Sequence, residues 1–140
     1  ANEPDIAYAH LFSYFRGEEW RPQKETQRLL DKYFTTKPNG IPGNDDTGTM
    51  SAWAIFNMIG FYPDCPGLPE YTLTTPVFNK VTIRLDPKWY KEKELVIESN
   101  RTQPGTLYIN KVLLNGKKFN QYRITHDELV HSQRILFDLK

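Results

Sequence analysis

The chain has 140 residues, a length that fits one ordinary domain with a single hydrophobic core. Hydrophobic residues make up 39% and charged residues 25%, as in soluble globular proteins, and the formal net charge is only +1. This balance provides no basic surface for nucleic acid, and no apolar run approaches the length of a membrane span. The single cysteine, Cys65, excludes an intrachain disulfide and a thiolate zinc site.

The first 60 residues have the spacing of amphipathic helices. Apolar side chains predict a first helix over residues 6–15 and a second over residues 21–34. A third helix is predicted over residues 49–59, with Gly60 ending it. The stretch 36–43 is too rich in glycine, proline and asparagine to be helical, so we expect a loop there.

After Pro63 the pattern changes to the alternation that is typical of strands. Short β-type runs are found at residues 71–74, 81–85, 94–97, 106–109, 111–114, 117–119, 122–124 and 134–137. The pair Asn115-Gly116 predicts a hairpin, and a helical turn fits residues 127–130. The predicted class is therefore α+β: helices first, then a small antiparallel β-sheet or sandwich.

The loop Gly43-Asn44-Asp45-Asp46-Thr47-Gly48 concentrates two carboxylates, an amide and a hydroxyl immediately before the third helix. Asp and Asn are favoured at helix starts, so one of them could serve simply as a cap. Three consecutive acceptor side chains exceed what capping needs, and hard oxygens suit Ca²⁺, which takes six to eight of them. The spacing does not match an EF-hand, and ligands from elsewhere would be required. From residue types alone, cap and acid cluster remain open.

Asn2-Glu3-Pro4 is a second candidate, because Glu3 could form another wall of a site that contains the carboxylate loop. By itself, a Glu near a helix start usually interacts with the helix dipole. Neither His126 with His131 nor Cys65 has the surroundings of a metal ligand or nucleophile, and Ser51 lacks a nucleophile elbow.

The run from Gly40 to Trp53, GIPGNDDTGTMSAW, and its continuation GFYPDCPG at residues 60–67 resemble the C-terminal signature of glycoside hydrolase family 92. The similarity continues through YTLTTPVF at 71–78, VTI at 81–83, LNG at 114–116, ITH at 124–126 and ILF at 135–137. Asn2-Glu3-Pro4 is similar to that family's Asn-Glu-Pro segment. The resemblance therefore spans essentially the whole chain.

Members of that family are exo-acting, calcium-dependent, inverting α-mannosidases with an (α/α)₆ barrel catalytic domain. The resemblance implies that residues 1–62 are the last helices of such a barrel and that residues 63–140 are a C-terminal β region. Because the chain starts at Ala1 without an initiator methionine, we expect it to be part of a longer polypeptide.

The resemblance also implies roles for individual residues. Asp46 would be the general base, with Asn44 and Asp45 at the same subsite. Ca²⁺ would lie at the mannose subsite, with Asp46 and Glu3 as ligands from this chain, and Glu3 and Asn44 would contact the sugar. The general acid would lie upstream of this segment, so the isolated chain is expected to be inactive.

The implied partners are a mannose-containing oligosaccharide or N-glycan and the rest of the same polypeptide, in a secreted, periplasmic or cell-surface protein. The sequence departs from the common family pattern at Thr49, where Gln is usual, and at Ala54, where Tyr is usual. Asp5 and Ile6 replace the Ser and His that often follow Asn-Glu-Pro, a change that bears on substrate specificity.

Two other interpretations are compatible with the residues. The chain could be a carbohydrate-binding or accessory β-module, which would require the aromatics of residues 70–137 to form an exposed platform. It could also be a structural fragment in which the Gly43–Gly48 loop only caps a helix.

Overall fold

A computed structural model describes residues 3–140. Two 3-10 segments and three α-helices are present: Glu3–Asp5, Tyr8–Tyr14, α1 (Trp20–Tyr33), α2 (Thr49–Ile59) and α3 (His126–Val130). The strands are β1 (Phe61–Tyr62), β2 (Glu70–Leu73), β3 (Lys80–Arg84), β4 (Glu94–Arg101), β5 (Ile109–Leu114), β6 (Lys117–Phe119), β7 (Arg123–Thr125) and β8 (Arg134–Leu139). The predicted α+β class is confirmed. The described helices do not form a barrel by themselves.

The first predicted helix is a 3-10 segment instead of an α-helix. Its tighter winding places residues three apart on one face, and Tyr8, Leu11 and Tyr14 are accordingly all exposed. The same winding turns His10 inward, where it is fully buried. Apolar spacing alone could not distinguish the two helix types, because a repeat of three fits both over a short stretch.

The next two helices are confirmed within one residue. Helix α2 covers the predicted residues 49–59 and ends at Gly60, whose φ of 117° only glycine adopts readily. Helix α1 starts and ends one residue earlier than predicted. Its buried Gln23 reaches the sheet, where Oε1 accepts a hydrogen bond of 2.8 Å from the backbone N–H of Ile109.

The strands form two sheets, and the prediction of a purely antiparallel sheet is wrong in one place. The three-stranded sheet has the order β1-β2-β7 and is antiparallel throughout. The five-stranded sheet has the order β3-β4-β8-β5-β6, and in it β4 and β8 run parallel. The chain between them, through β5, β6, β7 and α3, is long enough for the crossover that parallel neighbours need. Alternation of apolar residues carries no information about strand direction.

The hairpin at Asn115-Gly116 is confirmed. Both residues have positive φ, 50° and 81°, as a type I′ turn between β5 and β6 requires. The side-chain oxygen of Asn115 also accepts hydrogen bonds from the backbone N–H groups of Gln133 and Arg134, which attaches the turn to the start of β8.

The buried apolar side chains form two clusters. The larger lies between the sheets and includes Phe61, Leu73, Leu95, Ile97, Ile109, Val112, Ile124, Leu129, Ile135, Phe137 and Leu139. The smaller consists of Leu30, Trp53, Ala54 and Tyr62 and joins α1 to α2. Burial of one such large side chain stabilises the fold by roughly 1.5–3 kcal/mol. The second cluster fixes the position of α2, and with it the loop that precedes α2.

His10 connects the Tyr8–Tyr14 segment to α2. Its Nε2 lies 2.9 Å from Oδ1 of Asn57, and its ring stacks on Tyr62 with the centroids 4.5 Å apart. Burial lowers the pKa of His10 below its usual value of 6.5, and the opposing effect of the Asn57 contact is smaller. The folded protein therefore holds this imidazole in its neutral form at neutral pH.

We expect the protein to lose stability on mild acidification because of His10. In the unfolded chain this side chain takes up a proton near its ordinary pKa of 6.5, whereas the folded state resists protonation. The contribution of neutral His10 to the free energy of unfolding is thus complete above pH 6.5, and it is lost as the pH falls through the lower pKa of the folded state. The Tm of His10→Gln should decline less between pH 7 and pH 5 than that of wild type. The matched control is His131→Gln, at an exposed histidine, and equal pH slopes for wild type and His10→Gln would refute the assignment.

None of the helices among residues 3–140 combines the length and the apolar character that crossing a bilayer requires.

Candidate active site

The Gly43–Gly48 loop is backbone-strained at its centre. Asp46 and Thr47 have φ of 47° and 61°, and the flanking glycines Gly43 and Gly48 have φ of 72° and 91°. Positive φ is tolerated by Asp but is unusual for a β-branched residue such as Thr47. Each such residue costs about 1–3 kcal/mol, and strain of this kind concentrates at functional sites. The loop therefore has a geometry that a simple helix cap does not need.

Asp45 makes the contacts of a helix cap. Its Oδ1 accepts the backbone N–H of Ser51 at 2.8 Å, and its Oδ2 accepts the Ser51 hydroxyl at 2.8 Å. Ser51 lies in the first turn of α2, where backbone N–H groups have no partner within the helix. The N-cap residue of α2 is Gly48, which has no side chain to perform this task. Asp45 thus braces the loop with both carboxylate oxygens.

Asp46 differs from Asp45 in its exposure and in its hydrogen bonds. Its side chain is exposed, and no described residue donates a hydrogen bond to its carboxylate. Its backbone carbonyl is held instead, by the N–H of Thr49 at 3.2 Å and the Thr49 hydroxyl at 2.7 Å. The backbone of Asp46 is fixed while the carboxylate remains available to a ligand. Asn44 is exposed as well, on the other side of Asp45.

The loop borders an open groove. Residues 35–41 together with Gly43, Asn44 and Asp45 line a concavity of about 550 Å³. The shape of its wall depends on Gly40, because a Cβ there would stand 2.0 Å from the Thr35 carbonyl oxygen. This polar, open concavity, which Asn44 and Asp45 of the loop help to line, could accommodate part of a hydrophilic ligand.

The segment that carries Glu3 packs beside the loop. The indole Nε1 of Trp53 donates a hydrogen bond of 2.9 Å to the carbonyl of Ile6. Asp5 and Ile6 also share a small cavity with Pro42, which precedes the loop. The Glu3 side chain itself is exposed, and Asn2 lies outside the described residues. The segment therefore lies against α2 and Pro42 through Ile6 and Asp5, while the pairing of Glu3 with the Gly43–Gly48 loop stays a prediction.

The oxygen atoms that the loop offers are of the chemical type that Ca²⁺ binds. Carboxylate and carboxamide oxygens are the ligands that this ion prefers, and Asp46, Asn44 and Glu3 are all exposed. Within residues 3–140 no three His, Cys, Asp or Glu side chains lie together as a metal site would require. A complete shell at this loop would need ligands from outside the described residues or from a substrate.

The remaining titratable candidates have structural contacts. Nδ1 of His126 lies 2.9 Å from the Tyr71 hydroxyl, and exposed His131 contacts Asp127. Cys65 is partly buried and unpaired in the described chain, and Ser51 is engaged by Asp45. His126, His131 and Ser51 thus have partners within the fold, and the exclusion of all four residues as nucleophiles or metal ligands stays a prediction.

Two departures from the common family pattern have local roles. The hydroxyl of Thr49 holds the carbonyl of Asp46, so this substitution contributes to the strained loop directly. Ala54 is buried in the cluster with Trp53 and Leu30, where a tyrosine ring would not fit without rearrangement.

The structure contains an ion pair with a buried carboxylate, which the sequence analysis did not predict. Arg123 in β7 contacts Asp64 with 3.2 Å between Nη1 and Oδ2, and the Asp64 side chain is only 1% exposed. Burial by itself would raise the pKa of Asp64, but hydrogen bonds from Thr72, Tyr14 and Arg123 outweigh it and the pKa lies below its usual value. The two residues are 59 positions apart, and although Asp64 stands in the run GFYPDCPG, Arg123 lies outside the runs that carry the resemblance.

A family model described as the glycosyl hydrolase family 92 catalytic domain matches residues 1–140, the whole chain. An uncharacterized secreted glycosidase of Arthroderma benhamiae is 29% identical over 126 residues, which are 90% of this chain and 16% of that protein.

Two solved structures from Bacteroides thetaiotaomicron have the same fold. The family GH92 α-mannosidase BT3965, in complex with mannoimidazole, is 32% identical with a TM-score of 0.89. The family GH92 inverting mannosidase BT2199 is 34% identical with a TM-score of 0.85. Each match covers 99% of this chain but only 18% of the solved chain. Because the match extends over the entire chain and includes the carboxylate loop, this chain belongs to glycosyl hydrolase family 92.

Proposed function

We propose that the protein containing this chain is an inverting, calcium-dependent exo-α-mannosidase, and that this chain supplies its general-base loop. The observation that carries the proposal is the difference between the surroundings of Asp45 and those of Asp46. One carboxylate braces α2 through Ser51, while the adjacent one is exposed on strained backbone with both of its oxygens free of described donors. Membership of family 92 supports the chemistry, and mannosidases of that family share the fold.

In the proposed reaction the ionised Asp46 removes a proton from a water molecule as that water attacks the anomeric carbon. A carboxylic acid elsewhere in the polypeptide protonates the departing oxygen on the opposite face. Inverting glycosidases place these two groups roughly 6.5–9.5 Å apart to leave room for the water. Asp45 keeps the loop in position, and Asn44 at the same subsite can hydrogen-bond sugar hydroxyls.

Glu3 and Asp46 would be this chain's ligands to Ca²⁺, and Glu3 would also contact the sugar. When bound, the ion supplies a hard cation that can take two vicinal hydroxyls of mannose and favour ring distortion. The attachment of its segment to α2, through the hydrogen bond from Trp53 to the Ile6 carbonyl, supports either role for Glu3.

The rest of the same polypeptide would complete the site. Large apolar side chains of the first 62 residues are exposed, namely Tyr8, Leu11, Tyr14, Phe15, Trp20, Ile41 and Ile55. Such a set suits packing against further helices of an (α/α)₆ barrel. We infer a mannose-containing oligosaccharide or N-glycan as substrate. A secreted protein fits the description of the relative from Arthroderma benhamiae.

A binding module without catalysis is less well supported. Among the described aromatics of residues 70–137, Phe78, Trp89 and Tyr122 are exposed, and each lies in a different connection between strands. Phe137 is buried, and Tyr71 and Phe119 pack against the core. The platform that this alternative requires is therefore not evident in the β region.

The proposal is tested by following hydrolysis of an α-mannoside by the complete protein. We expect turnover to stop when Ca²⁺ is chelated and to return when it is restored. Proton NMR at early times should show β-mannose as the first product. Asp46→Ala should be inactive at every Ca²⁺ concentration. An unchanged rate in that variant would remove the base assignment, and α-mannose as first product would remove inversion.

A separate prediction concerns the 140-residue chain alone. We expect it neither to hydrolyse α-mannosides nor to bind Ca²⁺ tightly, because the proposed acid and further ligands lie elsewhere in the polypeptide. Purified chain would be assayed with mannoside and by calcium calorimetry. Detectable turnover by the chain would show that it contains a complete catalytic pair.

A further inference from the structure

Arg123 is the centre of a partly buried polar cluster that joins four parts of the chain. Its Nη1 lies 3.2 Å from Oδ2 of Asp64, 2.9 Å from Oγ1 of Thr72 and 3.0 Å from Oγ of Ser13. Its guanidinium also lies over the ring of Tyr14, 4.5 Å from the centroid. We call these five residues the Arg123 cluster. They connect β7, β2 and the β1–β2 loop to the end of the Tyr8–Tyr14 segment.

The same segment is attached to α2 nearer its beginning. His10 contacts Asn57 at 2.9 Å, and the Ile6 carbonyl before it accepts the Trp53 indole N–H at 2.9 Å. Both partners belong to α2, whose first turn is braced by Asp45 of the carboxylate loop. The segment is therefore held at two places, by the β region after His10 and by α2 at and before it.

We propose that Arg123 is a positioning residue, which fixes the orientation of the Tyr8–Tyr14 segment and thereby places Glu3 relative to Asp46. This inference rests on the proposed mannosidase function. Ser13 and Glu3 lie on opposite sides of the His10–Asn57 contact along the chain. If the Ser13 end is released, the contacts of His10 and Ile6 with α2 hold the segment without the β region, and the Glu3 end can shift with it.

The hydrogen-bonding geometry of the Arg123 cluster suits a role in fixing the orientation of the segment, beyond holding the elements together. A guanidinium presents its donors in a rigid planar fork, so partners on several elements fix the angle between them. Thr72 contributes to the same geometry, since its hydroxyl lies 2.8 Å from Oδ1 of Asp64. A lysine at position 123 would keep the charge but not the fork. An alanine at position 13 would keep the ion pair but remove the hydrogen bond from Arg123, so that Tyr14 alone would link the segment to the guanidinium.

A double-mutant cycle on the complete protein tests the inference, with kcat and KM for an α-mannoside as readouts. Arg123→Lys and Ser13→Ala should each lower kcat/KM, by on the order of 10²-fold and tenfold, because a displacement of 1 Å can have the larger effect. In a Glu3→Gln background the same changes should have little further effect, since there is then no Glu3 carboxylate to position. Ser13→Ala leaves Arg123 and Asp64 paired, so it carries the test if Arg123→Lys folds poorly.

The matched control is Arg134→Lys, because Arg134 is also ion-paired, to Glu98, but is exposed on β8. It should leave kcat and KM unchanged. The inference would be overturned if Ser13→Ala and Glu3→Gln lowered kcat/KM independently, so that their effects multiplied in the double variant. It would also be overturned if Ser13→Ala had no kinetic effect. A Glu3→Gln variant with full activity would overturn it as well, by removing the proposed role of Glu3. Failure of the mannosidase proposal is separate, and would appear as full activity in Asp46→Ala.

Discussion

Replacing Asp46 with Asn should lower the kcat of the complete enzyme by about 10²–10⁴-fold, the range that positioned acid–base groups contribute. Asn has nearly the same shape and tolerates positive φ, so the backbone at 47° can persist. The hydrogen bonds from Thr49 go to the Asp46 carbonyl and do not depend on the side chain. The expected loss is therefore one of proton-accepting ability, to be measured as initial rates with Tm recorded in parallel.

Asp45→Asn is the matched comparison, since it changes the neighbouring residue in the same way. Asn can still accept the Ser51 N–H, and its NH₂ group can donate to the Ser51 hydroxyl, so both contacts can persist without the negative charge. We expect only a small stability decrease, because Asn caps helices about as well as Asp, and a smaller fall in rate than for Asp46→Asn. If Asp45→Asn abolished turnover while Asp46→Asn did not, the roles given to the two carboxylates would have to be exchanged.

Replacing Arg123 with Met should destabilise the protein by about 3–5 kcal/mol, the penalty for removing one partner of a buried ion pair. The Asp64 side chain is 1% exposed and would remain charged with no cation beside it. Urea denaturation should show the loss as a lower midpoint with an unchanged m-value. Asp64→Leu combined with Arg123→Met should recover much of the stability, because no buried charge is then left unpaired.

The control for this prediction is Arg134→Met. Its ion pair with Glu98 is largely exposed, so the change should stay within about 1 kcal/mol. A pH series adds an independent check on Asp64. Because the folded pKa of Asp64 lies below its unfolded value, its contribution is present above the unfolded pKa and is lost as pH falls through the folded one. Arg123→Met within 1 kcal/mol of wild type would contradict the account of the cluster.

The elements that could be predicted from sequence are those with local causes. Helix α2 has its apolar face, its Gly60 end and the carboxylate loop within one continuous stretch, and the predicted bounds 49–59 are the observed ones. The Asn115-Gly116 turn depends only on two residues that accept positive φ. Family resemblance identified the loop because its signature is also continuous.

Features that depend on distant residues could not be predicted in this way. The parallel β4–β8 pair is set by the path of the chain between the strands, which alternation does not encode. The contact of Arg123 with Ser13 joins residues 110 positions apart. Within the loop itself, the sequence could not say which carboxylate caps and which is free. That distinction depends on the Ser51 contacts, and these require the folded first turn of α2.

The most direct test of the base assignment is chemical rescue of Asp46→Ala in the complete enzyme with azide. Azide is already anionic and can attack the anomeric carbon without a base, in the space that the shortened side chain leaves. We expect azide to restore cleavage of an α-mannoside in Asp46→Ala, but not in Asp45→Ala, with β-mannosyl azide as the product. Rescue of Asp45→Ala alone, or an azide product of α configuration, would contradict the account of Asp46 as the base of an inverting mannosidase.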